Sequence, residues 1–283
     1  MVESPANMPK KDASEIIDQD ADILVINKPT GLSVTKDRSR DEELLPVLLD
    51  QLELTPEEKL LLVHRLDKET SGAMILAKNK DAQRRFSGYF TKSQIKKTYL
   101  ALISGAVTQD EGTIDAPIGP NRKDPRFMDI DFGKRGKKAV THWRLLADFG
   151  NAALVAVEPI TGRTHQIRVH LPSMGMPLTI DPLYGNSEGL MLSSFKTGYR
   201  LGKWQEEKPL IERLTLHAYQ IQLPVTSTQY PVTTFVAKLD KKFAAAIKML
   251  AKHNSRGPAA FKDPALLAAI LEGKPIETAP WTP

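Results

Sequence analysis

One short segment contains the acid best placed to do chemistry. In HRLDKETSG, Asp67 follows His64 and Arg65 and precedes Thr70. An aspartate in such a setting is ordinarily a turn or cap residue. This loop, however, runs directly into an apolar stretch typical of a buried strand, and loops held by rigid elements often carry functional residues. Asp67 is therefore the first candidate catalytic residue.

A second segment, TGRTHQIRVH, concentrates polar side chains near the start of a predicted helix, with Arg163 in its first turn and His165, Gln166 and Arg168 along its polar part. A charged surface helix would show the same pattern. A metal site is another interpretation, because His165 and His170 are close in sequence. A spacing of five does not put two imidazoles on one helical face, and the segment supplies no carboxylate ligand. The sequence therefore predicts no metal.

Tyr99 begins a predicted strand in the segment KKTYL. A strand tyrosine is commonly part of the core. In an RNA-binding enzyme the ring has a second use, because aromatic side chains stack on extruded bases. Both interpretations remain open from the residues alone.

Composition limits the possible chemistry. The 283 residues include no cysteine, which excludes disulfides, thiolate nucleophiles and cysteine-ligated zinc. No run approaches the roughly 20 apolar residues of a membrane span, and the first residues form no apolar signal segment, so a soluble cytoplasmic protein is expected.

Positive charge is concentrated in one region of a chain whose net charge is +5. Charge runs are usually solvated loops, but this one also fits a surface that grips phosphates. Its basic residues are Arg122, Lys123, Arg126, Lys134, Arg135, Lys137, Lys138 and Arg144.

Hydrophobic periodicity predicts an α+β protein with a mainly antiparallel sheet. Residues 18–252 are expected to form one catalytic domain, preceded by a flexible N-terminus (1–17) and followed by a loosely held tail (253–283). Helices are expected near 42–54, after the cap Asn79, in the segment TGRTHQIRVHLPSMG, and over 241–252. The predicted strands are 23–26, 73–77, 98–104, 113–118, 139–147, 152–157, 214–223 and 232–239.

The segments HRLDKETSG, KKTYLALISG, GRTHQIRVHL and LTLHAYQIQLP, in this order, resemble the signature segments of the RluA-type family of RNA pseudouridine synthases. The resemblance covers about residues 23–239. It implies a mixed, mainly antiparallel sheet flanked by helices, and the isomerisation of uridine to pseudouridine in transfer or ribosomal RNA. It also implies no cofactor, no metal and no obligate protein partner, hence a monomer whose partner is RNA.

The resemblance also implies residue roles. Asp67 becomes the essential carboxylate, either as a nucleophile or by taking a proton from the ribose. Arg163 is expected to pair with Asp67 and keep it ionised, Tyr99 to lie beside the target base, and Arg65 to hold the duplex open. The other expected substrate-binding residues are His64, Thr70, His165, Gln166, Arg168, Leu214 and Leu216.

Substrate choice is expected to depend on this domain itself, since the small RNA-binding domain that precedes the catalytic body in some relatives is not expected here. The looser phosphate-binding candidates are Lys28, Lys78, Arg122, Lys134, Arg135, Lys137 and Lys138, and residues 185–212, with Lys196, Arg200, Lys203 and Trp204, form a candidate specificity element. Two alternatives remain: a catalytically silent RNA-binding or ribosome-assembly protein on the same fold, and a metal-dependent hydrolase.

Overall fold

A computed structural model describes residues 14–34, 43–53, 55, 59–105, 107–202, 205–224 and 234–277. The helices are α1 Leu44–Gln51, α2 Lys80–Thr91, α3 Gln166–Ser173, α4 Lys241–His253 and α5 Pro264–Glu272, with short 3-10 helices at Leu192–Ser194 and Gly257–Ala260. The strands are β1 Glu15–Gln19, β2 Ile23–Lys28, β3 Leu61–Leu62, β4 Ser71–Ala77, β5 Lys96–Ser104, β6 Glu111–Asp115, β7 Ile118–Pro120, β8 Met128–Ile130, β9 Val140–Asp148, β10 Ala152–Pro159, β11 Leu216–Gln222 and β12 Thr234–Val236.

A ten-stranded sheet forms the centre of the molecule, in the order β1-β2-β4-β11-β5-β10-β9-β6, with β12 added to β11 and β3 to β4. Among the described strands, β4 and β11 are the parallel pair, and the other pairs are antiparallel. The predicted α+β class with a mixed, mainly antiparallel sheet is confirmed. The separate hairpin of β7 and β8 lies outside this sheet and was not predicted.

The central strands are apolar on both faces because both faces of the sheet are covered. Every residue of β4 and of β10 is buried. Helix α2 starts where predicted, since the Asn79 side chain accepts the Ala82 backbone N–H (2.9 Å) and the helix buries Ala82 and Phe86. These buried layers fix the loops at the strand ends, including the loop that precedes β4.

Gly72 permits the close approach of β4 and β11. Its φ is +118°, and a Cβ at this position would lie 2.2 Å from the Ala218 carbonyl oxygen. Any other residue would force the two strands apart. Gly72 therefore holds the HRLDKETSG loop beside the strand that begins at Leu216.

The predicted ends of the domain are wrong where the structure describes them. Strand β1 pairs with β2, so residues 15–17 belong to the sheet, while residues 1–13 lie outside the described part. The segment predicted to be a loosely held tail, 253–283, contains helix α5, and its residues Ile270 and Ile276 are buried in the core. Tyr219 Oη lies 2.7 Å from the Lys274 carbonyl oxygen and ties this region to β11. The folded body thus extends to residue 277.

Some predicted positions lie outside the described residues. These are the helix limits Glu42 and Leu54, the first strand residues Val232 and Thr233, the specificity residues Lys203 and Trp204, and the chain end 278–283.

Candidate active site

The HRLDKETSG loop is anchored by alternating side chains. His64 stacks on Phe90 with ring centroids 4.1 Å apart, and its Nε2 accepts the Ile75 backbone N–H (3.0 Å). Burial, with a smaller contribution from Lys97, lowers the pKa of His64 to about 3, so the ring is neutral, as an accepting Nε2 requires. Leu66 is buried, whereas Arg65 is exposed. His64 therefore positions the loop through its ring and Nε2.

Lys28 holds the same loop through a hydrogen bond to its backbone. Its Nζ donates to the carbonyl oxygens of Pro29 (2.9 Å), Leu32 (3.0 Å) and Lys68 (3.0 Å), and the side chain is fully buried. Burial, opposed by nearby Glu69 and Asp67, lowers its pKa to about 7. The prediction that Lys28 grips phosphate is wrong, because its ammonium faces backbone carbonyls inside the protein. It clamps the residue that follows Asp67.

The carboxylate of Asp67 faces a buried arginine. Its Oδ2 lies 3.7 Å from Arg168 Nη1 and 3.9 Å from His165 Nε2. Arg168 is only 4% exposed, and its Nε and Nη2 donate to the two carboxylate oxygens of Asp181 at 2.8 and 2.6 Å. This two-point pairing fixes the guanidinium plane, so Arg168 presents Nη1 to Asp67 in one orientation.

Arg163 does not pair with Asp67, and that prediction is wrong. Its Nε donates to the Lys138 carbonyl oxygen (2.9 Å), and the side chain is exposed at the rim of the site. The physical reason is the start of the helix: α3 begins at Gln166, so Arg163 lies in the preceding loop and Arg168 lies on the inward face. Each arginine of the segment thus has a different task.

Gln166 joins that loop to strand β9. Its Nε2 donates to Val140 O and Thr141 Oγ1, both at 2.9 Å. Its Oε1 accepts from Thr161 Oγ1 (2.8 Å) and from the Arg163 backbone N–H (3.0 Å). With both amide hydrogens and both oxygen lone pairs engaged, Gln166 holds the loop in place. Gln166 also lines the candidate cavity, so its predicted contact with substrate stays a prediction.

His165 precedes α3 in the left-handed backbone conformation, with φ of +53°. This conformation is uncommon for a residue with a side chain and often marks functional positions. The ring lies between Asp67 and Tyr184, with Nδ1 2.7 Å from Tyr184 Oη. Burial lowers the pKa of His165, although Asp67 opposes the shift.

Sequence reasoning missed Asp181 and Tyr184. Tyr184 Oη accepts the Met128 backbone N–H (2.8 Å), and the Arg168 guanidinium lies over its ring, 5.1 Å from the centroid. Burial raises the pKa of Tyr184 to about 12. The segment DPLYG has the composition of an ordinary turn, and the one available signal was an acid directly after the apolar residue Ile180.

Asp67, His165 and Arg168 line a cavity of about 460 Å³, within the usual range for small-ligand sites. Tyr99 and Leu216 form part of its wall together with Thr70. Burial and, to a lesser extent, Asp67 raise the pKa of Tyr99, so its phenol stays protonated. Leu214 is fully buried and lies outside this lining, contrary to the prediction that it flanks the base.

Three cations surround the cavity beyond the Asp67 pair. Arg65 and Arg163 are exposed lining residues. Lys97, which sequence reasoning passed over although it stands two residues before Tyr99, lines the same cavity, and burial lowers its pKa to about 8. The site can therefore bind an anionic ligand at its rim while an aromatic ring and a carboxylate contact the buried part.

The other phosphate candidates lie outside the cavity. Lys134, Arg135, Lys137 and Lys138 are exposed in the segment after β8, and Arg122 is exposed after β7. Lys78 is exposed too, with its Nζ donating to the Asp20 carbonyl oxygen (2.9 Å). The Lys138 backbone contact with Arg163 attaches the basic segment to the rim.

Within the described part of the chain, no three His, Asp or Glu side chains gather as a metal-binding group. His170, half of the candidate histidine pair, is buried between Thr141 Oγ1 and the Ala116 carbonyl oxygen, each 2.9 Å away. None of the helices in the described ranges is long and apolar enough to cross a membrane.

Comparison with known proteins assigns the chain to one class. The family model described as RNA pseudouridylate synthase matches residues 22–173. The chain belongs to the RluA-type family of RNA pseudouridine synthases, enzymes that isomerise uridine in RNA.

Individual relatives carry matching names. An uncharacterized RNA pseudouridine synthase of Zymomonas mobilis is 39% identical over 178 residues, which are 62% of this chain and 80% of that protein. The ribosomal large subunit pseudouridine synthase D of Borreliella burgdorferi is 35% identical over 212 residues, 70% of this chain and 64% of the relative. For YlyB of Bacillus subtilis, 38% identical, the aligned region spans 57% of the relative's length and 60% of this chain.

Among solved structures, human RNA pseudouridylate synthase domain containing 4 superposes with a TM-score of 0.62 at 30% identity, covering 83% of this chain and 92% of that one. Human RNA pseudouridylate synthase domain containing 1, at 24% identity, gives a TM-score of 0.65 over 96% of this chain and 100% of the other, which shows a shared fold.

Proposed function

We propose that this protein converts specific uridines of structured ribosomal or transfer RNA to pseudouridine, with Asp67 as its catalytic carboxylate. The observation that carries the proposal is the position of Asp67 in a 460 Å³ cavity, where Arg168 Nη1 lies 3.7 Å from its Oδ2 and Tyr99 lines the same wall. The carboxylate thus lies beside a fixed cation and still lines the cavity, where a bound nucleoside can reach it.

The reaction leaves the elemental composition of the nucleotide unchanged. The bond from the ribose anomeric carbon to uracil N1 breaks, the uracil turns, and a bond forms from the same carbon to uracil C5. The C5 hydrogen leaves as a proton, and N1 gains one. Asp67 either attacks the anomeric carbon or removes a ribose proton to leave a glycal, and both routes need an ionised carboxylate beside the sugar.

The cavity requires the target uridine to leave its stack, because a base paired within a helix hides the glycosidic bond. Tyr99 and Leu216 supply the apolar faces that hold an extruded base, while Arg65 at the rim fits the space left in the RNA. Arg163, also exposed, serves as a rim contact for the backbone. Asp67 and Arg168 are thus expected to act on the extruded nucleoside, while Arg65 and Arg163 at the rim contact the rest of the RNA.

The RNA target is the finer part of the proposal. Relatives in Borreliella burgdorferi and Pseudomonas aeruginosa are named ribosomal large subunit pseudouridine synthase D, so large-subunit ribosomal RNA is the first RNA to test. RNA labelled with tritium at uridine C5 should release tritium to water when incubated with the protein. Comparing pseudouridine maps from cells with and without the gene then identifies the position. Absence of release from both ribosomal and transfer RNA would contradict the proposal and favour a silent RNA-binding protein.

Lys97 should give the reaction a pH limit. Its pKa, lowered to about 8 by burial, makes it a cation at pH 7 and neutral at pH 9. A neutral amine no longer attracts phosphate, so kcat/KM should fall as pH rises through about 8. The matched control is Lys97→Arg, which stays charged and should hold kcat/KM level over this range.

Lys28 also titrates near neutrality, so the comparison of wild type with Lys97→Arg at each pH isolates Lys97. Parallel pH profiles for the two proteins would show that another group sets the limit.

Neutralising the exposed cations of the segment after β8 should weaken RNA binding and flatten its salt dependence. The variant replaces Lys134, Lys137 and Lys138 with glutamine. Each phosphate contact releases counterions, so losing three contacts should reduce the slope of log K against log salt by about 2–3. A matched control is the triple glutamine variant of Lys241, Lys242 and Lys248 on helix α4. If the slope of log K against log salt equals that of wild type, the segment makes no phosphate contacts.

A further inference from the structure

One aromatic side chain stands out on the surface. Phe132 is 81% exposed, whereas the other exposed large apolar residues of the described chain range from 38% to 52%. Single exposed apolar residues are common and require no function. Phe132, however, lies in the basic segment after β8, between Asp131 and Gly133, and faces solvent beside a second cavity.

The loop that presents Phe132 is tightly built. The Asp131 backbone N–H donates to the Pro117 carbonyl oxygen (2.8 Å), and Asp131 Oδ1 accepts the Gly133 N–H (2.8 Å). A Cβ at Gly136 would lie 1.7 Å from the Asp131 carbonyl oxygen, so this close fold requires glycine there. The loop that carries Phe132 is thus fixed, which lowers the entropy lost when a ligand binds to the ring.

The adjoining cavity has the chemistry of a nucleotide site. It measures about 400 Å³, and its lining combines Phe132 with the cations Arg122, Lys123 and Arg135. Two acids also line it: Asp131, and Asp129, whose Oδ2 accepts from Asn121 Nδ2 (2.6 Å). Arg135 is paired with Asp131 (3.7 Å), whereas Arg122 and Lys123 are exposed to solvent. An aromatic face beside exposed cations matches a base and its phosphate.

This surface is fixed relative to the catalytic cavity. Ile118 of β7 packs with Val169 of α3, the helix that carries Arg168. The Met128 N–H donates to Tyr184 Oη, and Arg163 Nε donates to the Lys138 carbonyl oxygen. Both ends of the hairpin region are therefore attached to active-site residues, so a ligand held by Phe132 has a defined offset from Asp67.

We propose that Phe132 and the cavity beside it form a second nucleotide subsite, in which an unpaired base of the RNA stacks on the ring while its phosphate lies against Arg122 and Lys123. The inference rests on the proposed function, since it takes RNA as the substrate. It assigns the selection of an RNA to two contacts at once: the extruded uridine at Asp67 and an unpaired nucleotide at Phe132.

The test compares two fluorescently labelled RNA hairpins that differ only in a single-stranded flank. Phe132→Ala should weaken binding of the flanked RNA by roughly 5- to 150-fold, the range for removing one stacking aromatic, and leave the blunt RNA unchanged. Phe132→Trp should retain the affinity. Phe132→Leu should bind as weakly as Phe132→Ala, because an aliphatic side chain cannot stack. Ile16→Ala, on the edge strand at the other end of the sheet, is the matched control and should bind like wild type.

Equal affinity of Phe132→Ala and wild type for the flanked RNA would overturn the subsite, and so would wild-type affinity in Phe132→Leu. Photocrosslinking of a flank containing 4-thiouridine should label the peptide around Phe132, and labelling elsewhere alone would also overturn it. These results are independent of turnover. If no RNA is isomerised but Phe132→Ala still weakens binding of the flanked RNA, the enzyme proposal fails and the subsite stands. If tritium is released while Phe132→Ala binds normally, the reverse holds.

Discussion

Asp67→Asn is expected to abolish tritium release from C5-labelled RNA while leaving RNA binding intact. Asparagine has the shape of aspartate but cannot attack the anomeric carbon or accept a ribose proton. Loss of a positioned proton-transfer group alone costs about 10²- to 10⁴-fold in rate, and loss of a nucleophile costs more. Single-turnover kinetics with saturating protein measures the chemical step directly.

The fold of this variant should be preserved. Asp67 is part of the cavity lining. When its carboxylate is replaced by an amide, Arg168 keeps its two hydrogen bonds to Asp181. Asp81→Asn, on the exposed face of α2, is the matched control and should react like wild type. Measurable turnover by Asp67→Asn, at more than about a hundredth of the wild-type rate, would remove Asp67 from the chemistry.

Much of the sheet was predictable because its information is local. Asn79, as a helix cap, predicted the start of helix α2, and the apolar runs of β2 and β4 predicted buried strands. Helix α5, which was not predicted, also has helix-end signals in the sequence. Asp263 caps its start by accepting the Ala265 N–H (2.9 Å), and Gly273 ends the helix with φ of +71°. The prolines of the tail led to an expectation of loose chain, although Pro264 at the first turn favours a helix.

The pairings of the site were less predictable because they depend on where helix α3 begins. Arg163 and Arg168 are equivalent as charges in the sequence, and the start of the helix at Gln166 places Arg163 in the preceding loop and Arg168 within the helix. Asp181 lies thirteen positions after Arg168, in a turn with no local pattern that marks an ion pair. Lys28 illustrates the opposite error, since a lysine beside a turn has the pattern of a surface cation and is fully buried.

The second large effect is expected at Arg168, and it has two separable parts. Arg168→Met leaves the Asp181 carboxylate, also only 4% exposed, without its partner. Breaking one side of a buried pair typically costs about 3–5 kcal/mol, so the free energy of unfolding should fall by that order. The same variant removes the cation beside Asp67, so turnover should fall as well. Urea unfolding measures the first loss, and single-turnover kinetics measures the second.

The double variant Arg168→Met, Asp181→Asn separates stability from catalysis. Replacing Asp181 with asparagine removes the uncompensated charge while Oδ1 can still accept the N–H groups of Leu183 (3.0 Å) and Tyr184 (3.1 Å). Unfolding free energy should recover in part. Turnover should not, because Asp67 still lacks its cation. Recovery of both together would reduce Arg168 to a purely structural residue.

Arg163→Met supplies the contrast that decides between the two arginines. The residue is exposed and bonds a backbone carbonyl, so its loss should change unfolding free energy by no more than about 0.5 kcal/mol. If Arg168 is the partner of Asp67, Arg163→Met should raise KM for RNA more than it lowers kcat, as expected for a rim contact. A fall in kcat larger than that of the stabilised double variant would instead indicate that Arg163 moves to Asp67 when RNA binds.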